Sequence, residues 1–270
     1  MAFELVARDG LVLLGCGKMG SALLAGWLAA GLPPGSVWVL EPHPTDWLTG
    51  SGVQVNKGVP SAPAVALLAV KPQMMGAALP AVQALGNGTT LMVSIAAGTS
   101  IASFEAAFGD RTPIVRTMPN TPAMVGRGIT GIVGNAHAGA RGLDLAEALM
   151  AAVGEVVRLD NEAQIDAVTG LSGSGPAYVF HLIEAMAQAG QAQGLPADVA
   201  MKLARVTVCG AGELAYRSSD TAAQLRINVT SPGGTTAAAL AHLMDEGTGL
   251  PPLMARAVAA ATQRGKELSQ

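Results

Sequence analysis

Apolar positions along the chain fall into two regimes. Through the first 160 residues short continuous apolar runs alternate with segments of helical period, and from residue 161 onward the helical period stands alone. The runs at Leu11–Leu14, 36–41, 52–56, 64–70, 89–95, 113–117, 128–133 and 155–159 predict strands. Helices are predicted between them at 19–30, 72–85 with a break at Pro80, 100–108 and 138–153. Runs without polar alternation, such as 64–70, suit parallel strands covered on both faces, so the first half reads as α/β around a parallel sheet. Everything before residue 15 reads as a single strand. The second half predicts helices over 162–169, 176–193, 197–216, 221–229, 235–246 and 251–266.

The first run feeds the turn Gly15-Cys16-Gly17-Lys18-Met19-Gly20, and a helix rich in Ala and Leu leaves it. Strand, glycine turn and helix together are the context that a dinucleotide-binding fingerprint needs. One glycine makes the tight turn, the next lets backbone N–H groups approach a pyrophosphate, and the third lets helix and strand pack closely. A nucleotide cofactor is therefore expected on a Rossmann-type domain over residues 1–160. Glu41, at the end of the second predicted strand, stands near the position of a ribose-selecting acid. Two readings have comparable weight: a carboxylate that accepts from a ribose 2′-OH and disfavours a 2′-phosphate, or an exposed strand-end acid.

Composition narrows the picture by exclusion. Half of the 270 residues are hydrophobic but only 3% are aromatic, so the core must rest on Ala, Val, Leu and Met. A net charge of −3 with 13% charged residues argues against nucleic-acid and anionic-membrane partners. Mean hydropathy is +0.40, yet the longest apolar runs fall far short of the roughly 20 residues of a spanning helix. With no basic stretch leading into an apolar run at the start of the chain, a cytoplasmic location is expected. Cys16 and Cys209 are too few for a disulfide framework, and His43, His137, His181 and His242 have no ligand spacing, so no metal site is expected.

In the helical half, segments such as 185–192 and 197–212 are apolar on more than one face. Such helices need burial on all sides, which predicts burial against another subunit. Two glycine corners punctuate these helices: Leu171-Ser172-Gly173-Ser174-Gly175-Pro176 and Thr230-Ser231-Pro232-Gly233-Gly234-Thr235-Thr236. Each places small residues and backbone N–H groups at a helix start, suited to an anion such as a carboxylate. By spacing alone, plain helix corners with Ser and Thr caps are the better reading. Triad, zincin, CxxC and P-loop signatures are absent, whereas hydride transfer to an electrophilic acceptor needs no strong base or metal.

The turn at 15–20, Val70-Lys71-Pro72-Gln73, Ser94-Ile95-Ala96-Ala97-Gly98, Met118-Pro119-Asn120-Thr121-Pro122 and the two glycine corners, in that order, resemble pyrroline-5-carboxylate reductase. The resemblance covers residues 10–260 and implies reduction of 1-pyrroline-5-carboxylate to proline by NADPH or NADH. It implies the Rossmann-type parallel sheet domain followed by an all-helical dimerisation and substrate-binding domain over 161–270. It also implies an intertwined homodimer, often assembled further into a decamer, with each site completed by helical elements that the partner helps supply.

On that resemblance, N–H groups of Gly233 and Gly234 with the hydroxyl of Ser231 or Thr235 hold the substrate carboxylate. Thr236 lies near the ring nitrogen, for orientation and proton relay, and Ser174, Gly175 and Pro176 belong to a second wall of the pocket. Gly15, Cys16, Gly17, Lys18, Met19 and Gly20 hold the cofactor together with Val70, Lys71, Pro72, Ala96, Pro119 and Asn120. Asn56 reaches the adenosine ribose or its phosphate. Glu41 favours NADH, Lys57 and His43 can compensate it, and no arginine follows the second strand, so the choice of nucleotide stays open. Two rival readings are weighed. A β-hydroxyacid dehydrogenase would need a Lys-x-x-Asn pair that Lys202 lacks, and Thr236 with both corners argues against an idle nucleotide-binding scaffold or redox sensor.

Overall fold

The computed structural model describes residues 2–268. It divides into two compact units, one of residues up to Gly173 together with those from Ala261 onward, the other Ser174–Ala260. In the first unit eight strands form one sheet: β1 (Leu11–Leu14), β2 (Val37–Leu40), β3 (Gln54–Val55), β4 (Val65–Leu68), β5 (Leu91–Ser94), β6 (Ile114–Met118), β7 (Gly128–Gly134) and β8 (Gly154–Arg158). Their order is β3-β2-β1-β4-β5-β6-β7-β8, with β1 paired in parallel to both β2 and β4. Every residue of β1, β4, β5 and β6 is buried, as continuous apolar runs covered on both faces require.

The sheet is parallel as expected except at one pair, because β7 runs antiparallel to β6. The link between them is a 3₁₀ turn at Thr121–Val125 closed by Gly126 at φ 68°, and parallel strands would need a crossover of a dozen or more residues. An expectation fails here: the chain before the turn is not a single strand. Residues Ala2–Asp9 form α1, with Val6 fully buried and the Gly10 N–H closing the last turn on Val6 O at 2.8 Å. Two helical turns were too short to register as a period.

The sheet is covered on both sides. One layer packs Leu23, Leu24 and Trp27 of α2 (Lys18–Ala29) with Leu145 and Leu149 of α6 (Gly139–Ala151). The buried Trp27 indole donates to Leu149 O at 2.8 Å, so its polar atom is paired. The other layer gathers Met75 of α4 (Pro72–Ala78) with Phe104 and Phe108 of α5 (Ile101–Phe108). α3 (Asp46–Gly50) is capped by Thr45, and the predicted break at Pro80 appears as the 3₁₀ turn Leu79–Ala81 after α4. Arg116 of β6 is 3% exposed and pairs at 2.8 Å with Glu162, which also accepts from the Ile101 N–H. A buried guanidinium needs such a partner.

The corner at 171–176 does not interrupt helical geometry, contrary to expectation. α7 (Gln164–Val168) runs directly into a π-helical turn, Thr169–Gly173, and Ser174 is itself helical (φ −86°, ψ −19°) at the start of α8 (Gly175–Ala192). Hydroxyls take up carbonyls along this stretch: Thr169 Oγ1 donates to Ile165 O at 2.8 Å and Ser172 Oγ to Val168 O at 3.0 Å.

The second unit holds α8, α9 (Ala197–Arg217), α10 (Ala222–Asn228), α11 (Thr235–Leu243) and the start of α12 (Leu250–Leu268). α8 and α9 pack against each other, and at Gly190 a Cβ would come within 3.3 Å of Ala200 Cβ. Burial is sparse: Ala187, Ala200 and Ala204 are covered, while Phe180 (61%), Val206 (63%) and Val229 (64%) stand exposed. No described helix is long and apolar enough to cross a membrane.

Candidate active site

The carboxyl ends of β1 and β4 lie side by side where strand order reverses, the place at which open α/β sheets hold their ligands. The turn at this point uses its three glycines differently. Gly15 adopts φ 89°, and a Cβ there would meet Val70 Cγ1 at 2.8 Å and Ala69 O at 3.1 Å. Gly20 brings α2 so close that a Cβ would lie 2.7 Å from Gly15 O. At Gly17 a Cβ would meet nothing within 4 Å. Gly17 is the N-cap of α2 and supplies no side-chain cap, so the helix start opens onto free space with its N–H groups available. That open cradle, which any side chain would fill, fits a pyrophosphate.

A cavity of 730 Å³ adjoins the turn, and Gly15, Gly17, Glu41, Asn56, Val70 and Lys71 line it. Glu41 Oε2 accepts from the Cys16 N–H at 2.8 Å, and Oε1 accepts from the His43 N–H at 3.0 Å. Glu41 is thus no free strand-end acid; its carboxylate is fixed on the turn itself. Asn56, at φ 52°, accepts from Glu41 N–H at 3.0 Å and donates to Glu41 O at 2.8 Å. Its amide oxygen and one amide N–H are thus held by the Glu41 backbone, and Asn56 borders the cavity. Burial, followed by the Glu41 charge, pushes the Cys16 thiol up to about 11, so it stays protonated at neutral pH.

Cys16, Gly17 and Lys18 also border a cavity of 830 Å³ that runs along α2 to Trp47 and Met124. Met19 packs against the core beside the turn, and Pro72 opens α4 at its first position, where a missing N–H costs little. Ala96 is 3% exposed, with its N–H on Ser94 Oγ at 3.1 Å. Pro119 is buried at the end of β6. Asn120 accepts from Ile129 N–H at 2.9 Å and donates to Ser172 O at 3.1 Å, tying the β6–β7 link to the π-helical turn. None of Ala96, Pro119 and Asn120 borders either cavity.

The remaining predicted residues belong to the second unit. Gly175 and Pro176 open α8, following Ser174. Ser231 O accepts from Gly234 N–H at 3.0 Å, Gly233 adopts φ 70°, and Gly234 is an N-cap without a side-chain cap for α11. Ser231, Gly233 and Thr235 are exposed and Thr236 is half-buried in the first turn. The Thr235 and Thr236 hydroxyls make no hydrogen bond among the described residues, so neither caps its own helix. Carboxylate-sized anions are held by such open helix starts.

No sequence signal announced the Glu41–Cys16 bond or the structural use of Asn56 and Asn120. These bonds join positions 9 to 52 residues apart. The first unit has the site of a dinucleotide-dependent oxidoreductase, and residues 11–98 match the family model described as NADP oxidoreductase, coenzyme F420-dependent. Residues 162–268 match the model described as pyrroline-5-carboxylate reductase dimerisation. The chain is 40% identical to the pyrroline-5-carboxylate reductase of Pseudomonas aeruginosa, over 96% of this chain and 97% of that one. To that of Synechocystis it is 42% identical, over 96% and 98%. The solved structure of the Coxiella burnetii enzyme superposes with a TM-score of 0.89 at 34% identity, covering 97% of this chain and 99% of that one. The Plasmodium falciparum enzyme, solved with NADP bound, gives 0.83 at 27% identity over 97% and 99%.

The chain belongs to the pyrroline-5-carboxylate reductase family. Its reaction is the NAD(P)H-dependent reduction of 1-pyrroline-5-carboxylate to proline, in proline biosynthesis, and it self-associates through its helical domain.

Proposed function

We propose that the chain carries out this reduction with the nucleotide on the Gly15–Gly20 turn and the substrate at the α11 start, residues 1–160 and 161–270 acting as the two domains. The observation that carries the nucleotide half is the open cradle at Gly17, flanked by the fixed Glu41 carboxylate. NAD(P)H, when bound, supplies a hydride to the carbon of the substrate's C=N bond. Everything else falls to the chain. The Gly233 N–H, with the Ser231 or Thr235 hydroxyl, holds the carboxylate of the cyclic imino acid, while the Gly234 N–H, given to Ser231 O at 3.0 Å, fixes the corner that presents them. Thr236 Oγ1, unpaired within the described residues, accepts from or donates to the ring nitrogen as the imine becomes an amine. A hydroxyl is a poor acid at neutral pH, so this contact orients the ring and relays a proton that solvent supplies. Ser174, Gly175 and Pro176 form the second wall, and Lys71, Pro119 and Asn120 flank the nucleotide.

Purified protein should consume NADH or NADPH only after 1-pyrroline-5-carboxylate is added, with proline as the product. Consumption without the imine, or none with it, would refute the reading.

The exposed apolar faces of α8 and α9 support a homodimer with intertwined helical domains, which the family resemblance extends to a decamer. Light scattering at micromolar concentration should give a mass well above the 27.1 kDa of one chain; a monomer would contradict the assignment. The net charge of −3 supports work without nucleic-acid or membrane partners, and we place it in the cytoplasm, which cell fractionation tests.

A further inference from the structure

We infer that Glu41 makes this chain select NADH over NADPH, a refinement that rests on the reductase reading above. Family membership leaves the point undecided, since the Plasmodium falciparum relative was solved with NADP.

The acid is held from two directions. One carboxylate oxygen accepts from Cys16 N–H at 2.8 Å and the other from His43 N–H at 3.0 Å, so its charge is pinned against the glycine turn. A carboxylate has about four acceptor positions. Two are taken, which leaves two for a ligand in the cavity that Glu41 lines. A ribose diol brings two hydroxyl donors and matches that number. A 2′-phosphate brings close to two negative charges and no donor at neutral pH, and it would meet the fixed carboxylate with nothing to give it.

The features able to offset this repulsion are weakened by the fold. Asn56 has its amide oxygen and one of its two amide N–H groups on the Glu41 backbone, at 3.0 and 2.8 Å, which leaves a single uncharged donor for a phosphate. His43 gives its backbone N–H to Glu41 and itself borders the cavity. Lys57 does not border the cavity, no arginine does, and Lys71 is the one lysine among the lining residues. Lys71 sits at the N-cap of α4, after β4 and across β1 from β2, the strand that carries Glu41. One lysine faces two repelling groups, and the balance favours the diol.

Direct titration of the purified protein with NADH and, separately, with NADPH, without substrate and read by calorimetry, tests the assignment. NADH should bind at least about tenfold more tightly. Glu41→Gln keeps an acceptor oxygen and removes the charge, and should narrow the ratio to under about threefold by strengthening NADPH binding. Glu41→Ser is the second variant, carrying the same expectation if the first melts early. Equal affinities in the wild type, tighter NADPH, or a ratio unchanged in both variants would overturn the role of Glu41. Binding of neither nucleotide would overturn the reductase reading with it. Equal binding with turnover of 1-pyrroline-5-carboxylate intact removes the Glu41 assignment alone.

Discussion

Gly17→Val is expected to weaken nucleotide binding by about 100-fold or more while leaving a folded protein. Gly17 lies at φ −69° and ψ −164°, an extended conformation that any residue adopts, and a Cβ there meets nothing within 4 Å. The fold therefore has room for the side chain. The cost to stability is that of a poorer N-cap, about 1 kcal/mol, which lowers Tm by about 2–4 °C for a unit of this size. The ligand does not have that room, because the valine occupies the space in front of the α2 N–H groups. Loss of two charge-assisted hydrogen bonds at about 1.5 kcal/mol each weakens binding by about 100-fold or more. Gly20→Val is the opposite case. Its Cβ would lie 2.7 Å from Gly15 O, a backbone atom that cannot step aside, so the variant should lose about 2–4 kcal/mol of stability. Calorimetric titration beside thermal melts separates the two. If Gly17→Val binds NADH like the wild type, the cradle is not the pyrophosphate site.

Thr236→Ala should lower kcat about 100-fold with nucleotide affinity unchanged. The hydroxyl has no partner among the described residues, so its removal breaks no internal bond, and alanine is the better helix former. Stability should hold or rise slightly. A purely structural role predicts the reverse pattern, with melting affected and turnover spared. Thr236→Ser keeps the hydroxyl and should recover most of the rate. Steady-state kinetics of the three proteins, with nucleotide Kd measured alongside, decide it; turnover of the alanine variant within about twofold of wild type would remove Thr236 from the reaction.

Much of the nucleotide half is legible in the sequence. The turn at 15–20 is readable because its steric demands are local: a left-handed residue at Gly15, an open one at Gly17, a close approach at Gly20. The buried strands announced themselves by unbroken apolar runs, and proline marked the starts of α4 and α8. The corner at 171–176 misled because glycine suggests a break, whereas here Ser172 and Thr169 hydroxyls hold the carbonyls of a π-helical turn that keeps the chain helical. α1 escaped notice because two turns are too few for a period to show.

Sequence alone determined the α/β-then-helical order and the glycine turn, which are set by residues within a few positions of one another, where backbone sterics and side-chain period act directly. The reaction rests instead on the resemblance to one family of motifs that are spread from residue 15 to residue 236. Tertiary structure decided the reversal of β7, the hydrogen bonds of Asn56 and Asn120 to backbone, and the placement of the Glu41 carboxylate on Cys16 N–H. Each depends on which strand ends the sheet sets side by side, and a pairing across 15, 25 or 52 residues leaves no periodic trace in the chain. The sheet brings the end of β2 against the turn after β1, and the hydrogen bond between them holds the Glu41 carboxylate where the sequence alone left it a strand-end acid of no fixed position.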